Sequence, residues 1–271
     1  MAEPSPAVTV VVPARYGSSR FPGKPLIQLM GKPMIQHVYE RARSCRVVEE
    51  VIVATDDERI QAAVEGFGGR VVLTKEPYRT GTDRVAGLAR HHAGEYFLGL
   101  QGDEILLNPD LLSDLIQPCL ATGEGMATLK RRIDSVDDLH NPGVVKVVTD
   151  PDGYALYFSR APIPVVRDET RRTVTAGLHF IHLGLYMYRR DVLMRFSSLP
   201  TGPLEEAEKL EQLRALEHGI RIRVWETAHP SIRIDTPDDV PGSAERLRRY
   251  YDEAGIRPLI ADSPLHGRVP R

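Results

Sequence analysis

Residues 8–24, VTVVVPARYGSSRFPGK, give the clearest indication of the fold class. Residues 8–12 form a continuous run of β-branched side chains that ends at Pro13, a pattern typical of a strand buried in a parallel sheet. A loop rich in glycine and arginine follows directly. Because open α/β sheets bind ligands beyond the carboxyl ends of their strands, we expect this loop to contact a ligand.

The loop carries the charges of a phosphate site. Arg15, Arg20 and Lys24 supply positive charge, while Gly17 and Gly23 allow the backbone to approach a ligand closely. Such a loop suits a triphosphate, and its position after a buried strand disfavours a merely solvated loop. It is neither a Walker loop nor a dinucleotide fingerprint, since Gly-Lys-Ser/Thr and Gly-x-Gly-x-x-Gly are both absent.

Strands and helices alternate through the first hundred residues or so. After 8–12, the pattern predicts strands over 51–54, 70–73 and 96–100, and helices over 33–43, 59–67 and 82–92. Alternation at such short spacing predicts an α/β fold built on a doubly wound, mostly parallel sheet with helices on both faces.

The pattern changes from about residue 126. Predicted strands over 126–132, 144–149, 155–158 and 182–188 follow one another without long helices between them. Residues 203–217 then predict one amphipathic helix, 221–226 a further strand and 238–251 a terminal helix. We interpret the chain as a single domain over 1–255 with a β-rich arm at about 126–190, followed by a tail over 256–271.

Composition excludes several classes of protein. A net charge of −2 gives no general attraction to nucleic acid or to an anionic membrane, and no apolar run approaches the length of a bilayer span. The N-terminal segment 1–7 is short and polar and lacks a basic start, which predicts no secretory signal. Two cysteines, Cys45 and Cys119, form no disulfide framework and favour buried fillers in a reducing cytoplasm.

Two aspartates follow apolar strands. Asp103 lies in Gln101-Gly102-Asp103-Glu104, and Asp235 lies in Ile234-Asp235-Thr236-Pro237. Mg²⁺ commonly takes one or two carboxylates and completes its shell with phosphate oxygens and water, so the pair is a candidate metal site. Asp235 could also be the N-cap of the helix that follows, or serve both purposes.

Other candidates have ordinary structural explanations beside the functional ones. Residues 80–84, Thr-Gly-Thr-Asp-Arg, begin a predicted helix, where Thr82 could be the cap and Gly81 could admit a flat base. His182 and Tyr186 share one face of a predicted strand, although a strand histidine is more often structural. Glu211 is predicted mid-helix, where it could belong to a solvated face.

Together these segments resemble the 3-deoxy-manno-octulosonate (Kdo) cytidylyltransferase family over roughly residues 8–247. The matching motifs are PARYGSSRFPGKPL (13–26), ATDD (54–57), TGTDR (80–84), QGDE (101–104), NPxVVKVV (141–148), ALYFSRAPIP (155–164), HLGLYxY (182–188), LEQLR (210–214) and IDTPDD (234–239). The resemblance implies a nucleotide-diphospho-sugar transferase-like fold, with the β-rich arm pairing two copies into a homodimer.

The resemblance also implies roles for particular residues. Those expected at CTP are Ala14, Arg15, Arg20, Lys24, Thr80, Gly81, Arg84 and Gln101. Among them, the basic loop residues would hold the phosphates, and the 80–84 segment would lie against cytosine. Asp103 and Asp235 would hold Mg²⁺. The residues expected at the acceptor acid are Arg160, His182, Tyr186, Glu211 and Gln212.

Three positions depart from the family pattern around the acceptor. Ile105 replaces the usual Pro, Ile181 the usual Lys or Arg, and Arg233 the usual Gly. They suggest, as an alternative acceptor, a compact charged acid such as phosphonoformate, with Arg233 as a further acceptor contact. A non-catalytic nucleotide-binding protein is a rival of another class, which Lys24 and the two aspartates disfavour.

The expected reaction is in-line attack of the acceptor oxygen on the α-phosphorus of CTP, with release of pyrophosphate. Such chemistry depends on positioning and charge neutralisation, and it needs no covalent nucleophile. The candidate catalytic residues are Arg15, Arg20, Lys24, Asp103 and Asp235, and no residue stands out as a general base.

Overall fold

The computed structural model describes residues 7–17, 21–74, 76–106, 108–167 and 173–253. Their strands are β1 (Val8–Ala14), β2 (Gln28–Leu29), β3 (Lys32–Pro33), β4 (Glu50–Thr55), β5 (Val71–Leu73), β6 (Tyr96–Gly99), β7 (Glu104–Leu106), β8 (Met126–Arg132), β9 (Lys146–Thr149), β10 (Ala155–Ser159), β11 (Phe180–Arg189), β12 (Arg223–Glu226) and β13 (Ser231–Arg233).

The helices of the same residues are α1 (Met34–Arg43), α2 (Glu58–Gly66), α3 (Gly81–Ala89), α4 (Asp110–Thr122), α5 (Val136–His140), α6 (Arg190–Ser198), α7 (Pro203–Glu208), α8 (Gln212–Glu217) and α9 (Asp239–Glu253). A short 3-10 helix covers Lys24–Leu26. Within the described residues no helix is long and apolar enough to cross a membrane.

A nine-stranded mixed sheet forms the centre of the molecule. Its main path runs β10-β9-β11-β6-β1-β4-β5, while β8 pairs with β11 and β12 pairs with β8. The strands β6, β1, β4 and β5 are mutually parallel, as the alternating pattern predicted. The predicted α/β class is therefore confirmed.

Both faces of β1 are covered. All seven residues of the strand are buried. Val10 and Val12 belong to the apolar cluster on one face of the sheet, whereas Val11 belongs to the cluster on the other. This double burial explains why the sequence of β1 is a continuous apolar run rather than an alternating one.

The segment 126–190 contributes directly to this sheet. β11 runs antiparallel to β6 through its last residues and to β8 along nearly its whole length. β9 and β10 form an antiparallel pair that continues the sheet beyond β11. The domain and arm boundaries stay predictions, as does the role of the arm in dimerisation.

The single helix expected over 203–217 is wrong, because the chain forms α7 and α8 with a break at Lys209. Lys209 has a left-handed φ of 52°. Tertiary contacts fix the break: the Glu208 carboxylate accepts hydrogen bonds from Ser159 Oγ at 2.6 Å and from the Arg160 backbone N–H at 2.9 Å. Glu211 is consequently the N-cap residue of α8 rather than a mid-helix residue.

Both cysteines are buried and free, as expected of filler positions. Burial raises the pKa of the Cys119 thiol to about 12.

Candidate active site

The loop after β1 folds back on itself beside the sheet edge. The Gly23 N–H donates to Tyr16 O at 2.8 Å, and Gly23 has a φ of 73°, which a residue with a side chain adopts only with strain. Ala14 is buried at the end of β1, and Arg15 is exposed immediately after it. Arg20, the third predicted phosphate contact, lies outside the described residues.

Lys24 lies between the two predicted metal ligands. Its Nζ is 2.5 Å from Asp103 Oδ2 and 3.8 Å from Asp235 Oδ1, and it donates to the Ile234 carbonyl oxygen at 3.0 Å. The lysine is only 9% exposed. The structure therefore brings together three residues that the sequence singled out in three distant segments.

The two aspartates fit a hard divalent cation. Asp103 Oδ1 is buried and accepts no hydrogen bond from the described residues, so one carboxylate oxygen at the centre of the cluster is left without a partner. No group of three or more His, Cys, Asp and Glu side chains suited to a metal occurs among the residues that the structure describes. Two carboxylates alone suit Mg²⁺, which draws its remaining ligands from phosphate and water.

The predicted capping role of Asp235 is wrong, because α9 begins only at Asp239. The backbone N–H of Asp235 instead donates to Asp239 Oδ2 at 2.9 Å. The Asp235 carboxylate points toward Lys24 and toward Arg233, whose Nε lies 3.2 Å from Asp235 Oδ2.

Pairing of β13 with β7 determines which of the three unusual residues can reach the site. Arg233 is opposite Glu104, and Ile232 is opposite Ile105. Ile105 is fully buried in the core, and Ile181 packs against the same apolar cluster. Ile105 is thus a core residue and Ile181 is partly buried against the core, which removes most of the argument for an unusual acceptor.

Glu104 is a buried carboxyl group beside the two predicted metal ligands. Burial raises its pKa, and the charges of Asp103 and Asp235 act in the same direction. The Ser231 hydroxyl donates to Glu104 Oε1 at 2.7 Å, and the charge of Arg233 opposes the rise. Among the features of the sequence, only the QGDE motif pointed to this group.

The segment predicted to read the base forms the start of α3. Thr80, rather than Thr82, is the cap, since Thr80 Oγ1 accepts a hydrogen bond from the Asp83 N–H at 3.1 Å. A Cβ placed on Gly81 would lie 3.3 Å from the Gln101 amide oxygen and 3.3 Å from Pro13. Gly81 and Gln101 are therefore neighbours, as expected of residues lining one nucleotide pocket.

Arg84 is 1% exposed, and its guanidinium forms hydrogen bonds to two neighbouring loops. Its guanidinium donates to Asp56 Oδ2 at 2.6 Å and also to Thr74 Oγ1, which joins the residues after β4 and β5 to α3. Asp56 was not among the predicted site residues, although it lies in the ATDD motif (54–57) directly after a buried strand. Direct contact of Arg84 with a base stays a prediction.

Glu211, a predicted acceptor residue, contacts the segment that is predicted to bind the base. Its carboxylate accepts hydrogen bonds from Thr80 Oγ1 at 2.7 Å and from Thr82 Oγ1 at 3.0 Å. Burial raises the pKa of the group, while the two threonine hydrogen bonds lower it. A solvated helix face, the alternative explanation for Glu211, is therefore wrong.

His182 and Tyr186 lie side by side, with ring centroids 5.3 Å apart. Thr128 Oγ1 is 2.7 Å from the Leu185 carbonyl oxygen and 3.1 Å from His182 Nε2. Because the hydroxyl proton is given to a carbonyl, His182 Nε2 must carry its own proton and donate it to Thr128. Burial, helped by the charge of Arg233, lowers the pKa of His182 to about 3, so the ring is neutral near pH 7.

The Tyr186 hydroxyl is a donor without a partner. It is buried and makes no hydrogen bond to the described residues. Burial raises its pKa well above the ordinary value, and Tyr188 and Glu211 add to the effect. A buried hydroxyl left unpaired costs roughly 1–3 kcal/mol, which indicates a group arranged to bind a ligand.

Arg160 and Gln212 lie near the break between α7 and α8. The Arg160 guanidinium donates to the carbonyl oxygens of Glu208 and Pro142, both at 2.8 Å. These contacts brace the break, while Gln212 is buried at the start of α8. Their contact with an acceptor stays a prediction.

Comparison with known proteins agrees with this geometry. A family model described as cytidylyltransferase matches residues 9–222. The chain is 52% identical over 249 residues to a 3-deoxy-manno-octulosonate cytidylyltransferase of Geobacter sulfurreducens, covering 89% of this chain and 99% of the relative. It is 48% identical over 242 residues to the protein of the same name from Solibacter usitatus, covering 89% of this chain and 93% of the relative.

Solved structures extend the comparison to the fold. A CMP:2-keto-3-deoxy-manno-octonic acid synthetase complexed with CTP matches with a TM-score of 0.82 and 42% identity, covering 90% of this chain and 99% of the other. HddC from Yersinia pseudotuberculosis matches with a TM-score of 0.63 at 15% identity, covering 88% of this chain and 98% of the other, which shows the shared fold alone.

The chain therefore belongs to the cytidylyltransferase family, and it is a nucleotidyltransferase that uses CTP and releases pyrophosphate. The relatives at about half identity carry one name, 3-deoxy-manno-octulosonate cytidylyltransferase. The family resemblance drawn from the motifs is confirmed, and the phosphonate alternative is not favoured.

Proposed function

We propose that this chain transfers the CMP group of CTP to Kdo, with Mg²⁺ held by Asp103 and Asp235. The observation that carries the proposal is the meeting of Lys24 with both aspartates at the carboxyl edge of the sheet. The names of relatives that align over nearly nine-tenths of the chain support Kdo as the acceptor.

In the proposed reaction an acceptor hydroxyl oxygen forms the new bond to the α-phosphorus, and the bond from that phosphorus to the bridging oxygen of the β-phosphate breaks. Bound Mg²⁺ would supply charge neutralisation at the phosphates. Lys24 and Arg15 are suited to stabilise the negative charge that gathers on the leaving pyrophosphate. His182, which is neutral near pH 7, orients groups by hydrogen bonding rather than by transferring a proton.

The acceptor side has the donors that a polyhydroxylated acid requires. The Tyr186 hydroxyl, which has no hydrogen-bond partner among the described residues, adjoins His182. Arg233 pairs with Asp235, the proposed metal ligand. These groups support an acceptor bound between β11 and the two aspartates.

We further propose a cytoplasmic homodimer that uses the β9–β10 edge. Leu156 on β10 is 61% exposed and Val165 just beyond it is 84% exposed, an apolar edge of the kind that proteins usually cover. Two buried free thiols support a reducing compartment. Light scattering at micromolar concentration should give twice the chain mass, and a monomer mass would contradict the dimer.

Pyrophosphate release from CTP tests the proposal directly. A panel of 2-keto sugar acids should show the highest kcat/KM with Kdo, and UTP should replace CTP poorly. Phosphonoformate belongs in the panel as the disfavoured acceptor. Release with phosphonoformate but none with Kdo would overturn the acceptor assignment while leaving the cytidylyltransferase class intact.

A further inference from the structure

We propose that Lys24 is a built-in counter-ion that occupies the divalent-cation position, and that nucleotide phosphates draw it away so that the metal can bind. The inference rests on the metal role proposed above for Asp103 and Asp235. It adds a coupling between nucleotide and metal that works through one side chain.

The oxygen atoms around the Lys24 ammonium resemble the ligands of a bound metal ion. Three oxygen atoms from two segments surround Nζ: Asp103 Oδ2 at 2.5 Å, the Ile234 carbonyl oxygen at 3.0 Å and Asp235 Oδ1 at 3.8 Å. Backbone carbonyl and carboxylate oxygens are also the ligands that hard divalent cations prefer. The single positive charge of the ammonium group thus offsets part of the repulsion between the two carboxylates.

A divalent cation and Lys24 cannot share these oxygens without strong repulsion. Mg²⁺ binds its oxygen ligands at roughly 2.0–2.1 Å, so it would lie within a few ångströms of Nζ if it used the same carboxylate oxygens. Repulsion between charges that close is large in a partly buried site. The alternative is a cation that uses only the unpaired Asp103 Oδ1 and leaves Lys24 in place.

Lys24 has another anionic partner once nucleotide binds. It stands directly after Gly23 at the end of the loop suited to the triphosphate, and a lysine reaches different partners by rotating a flexible four-carbon stem. Movement of Nζ to a phosphate would release both aspartates from Lys24. Nucleotide and metal should then strengthen each other's binding by the same factor, as linkage requires.

Binding of Mn²⁺ to the nucleotide-free protein, measured by electron paramagnetic resonance, tests the inference. Lys24→Met removes the positive charge with little change in side-chain length, and we expect Mn²⁺ to bind it at least about tenfold more tightly than wild type. Lys24→Arg keeps the charge and should match wild type. Lys32→Met removes a lysine that pairs with Glu40 instead, and it should also match wild type.

Equal or weaker Mn²⁺ binding by Lys24→Met would overturn the inference. Lys24→Gln serves as a second neutral variant, and circular dichroism of both establishes that they fold. Adding Asp103→Asn to Lys24→Met should abolish the gain. If the gain persists in the double variant, Mn²⁺ binds elsewhere and the proposed metal site fails as well. If Asp103→Asn stops turnover but Lys24→Met gains nothing, only the counter-ion role is wrong.

Discussion

The predicted nucleotide side and the predicted acceptor side of this site are built in different ways. On the predicted nucleotide side, Ala14 ends β1, Gln101 closely follows β6, and Thr80 and Gly81 begin α3, so the order of strands and helices places these residues. On the acceptor side, His182 and Tyr186 lie within β11, and Glu211 lies at a helix break created by distant contacts. Strand ends can be recognised in a sequence, whereas contacts between buried side chains depend on the assembled fold.

Glu211 is where the two sides meet. Its carboxylate belongs to α8, but both of its hydrogen-bond donors are threonines at the start of α3. We therefore expect substitution of the proposed metal ligands to lower turnover strongly. Substitutions in β11 should change the kinetics of the acceptor and leave those of CTP unchanged. Substitution of Glu211 should change the kinetics of CTP, although the residue is predicted to contact the acceptor.

Asp235→Asn should have the largest effect. The amide keeps the size of the side chain but loses the charge that faces Lys24 and that we propose holds a metal, so kcat/KM should fall by about 10²–10³-fold. Thermal unfolding should stay close to wild type, which separates loss of metal from loss of fold. Normal turnover at low Mg²⁺ would show that the Asp235 carboxylate is not a metal ligand.

Tyr186→Phe should separate stability from activity. Because the hydroxyl has no partner among the described residues, its removal should leave the free energy of unfolding unchanged or slightly raised. The kcat/KM for the acceptor should fall by about 10–100-fold, with the KM for CTP little altered. The matched control is Tyr154→Phe. The Tyr154 hydroxyl donates to Glu124 at 2.8 Å, and its removal should leave kcat and KM unchanged. Unchanged acceptor kinetics in Tyr186→Phe would remove Tyr186 from the site.

Glu211→Gln should weaken the use of CTP although the residue lies on the acceptor side. A neutral amide holds the Thr80 and Thr82 hydroxyls less firmly than a carboxylate, at a cost of about 1 kcal/mol or a factor of about 5 in kcat/KM for CTP. Glu217→Gln is the control, since Glu217 accepts from the Leu204 N–H in α7 and should leave the KM for CTP unchanged. Equal effects of the two substitutions would reduce Glu211 to a structural residue.

The buried His182 should make stability depend on pH in a predictable direction. Its pKa is about 3 in the folded protein, below the ordinary value near 6.5, so the unfolded chain binds the extra proton more readily between these values. Wild type should therefore lose stability as the pH falls from about 6.5 toward 3, at up to about 1.4 kcal/mol per unit. The variant His182→Gln should lack this contribution. The free energy of unfolding, measured with denaturant as a function of pH, should therefore have different slopes for wild type and variant, and equal slopes would contradict the prediction.

Arg233→Gly should have the smallest effect. Arg233 pairs with Asp235, but its side chain is 51% exposed, and ion pairs of that kind contribute about 0–1 kcal/mol. We expect kcat/KM for Kdo to change by less than about threefold. A loss of tenfold or more would instead support the prediction that Arg233 contacts the acceptor.

Local pattern was sufficient for most of the fold. The continuous apolar run of β1 predicted its burial on both faces, and alternation predicted the parallel strands β4, β5 and β6. It failed at 203–217, where helical spacing continues through Lys209 but Glu208 is held by Ser159 and Arg160. No local signal reports a contact between residues that far apart.

The site divides along the same line. Lys24 and Asp103 could be predicted because each comes after a parallel strand of the main sheet. Asp235 could be predicted as a carboxylate at a strand end, but its place beside them depends on the pairing of β13 with β7 in a separate two-stranded sheet. The neutral tautomer of His182, by contrast, depends on Thr128 in a neighbouring strand, and the bracing of α3 depends on Asp56 holding Arg84. Residues whose roles arise from burial and cross-strand pairing become visible only in the assembled structure.

Identification of the products formed from CTP is the most direct test of cytidylyl transfer to Kdo. With Mg²⁺ and Kdo, phosphorus nuclear magnetic resonance should show CTP converted to equal amounts of pyrophosphate and a CMP–Kdo phosphodiester, and Asp235→Asn should leave CTP almost unchanged over the same period. CDP and inorganic phosphate as products, or unchanged CTP with the wild-type protein and every acid of the panel, would contradict the account.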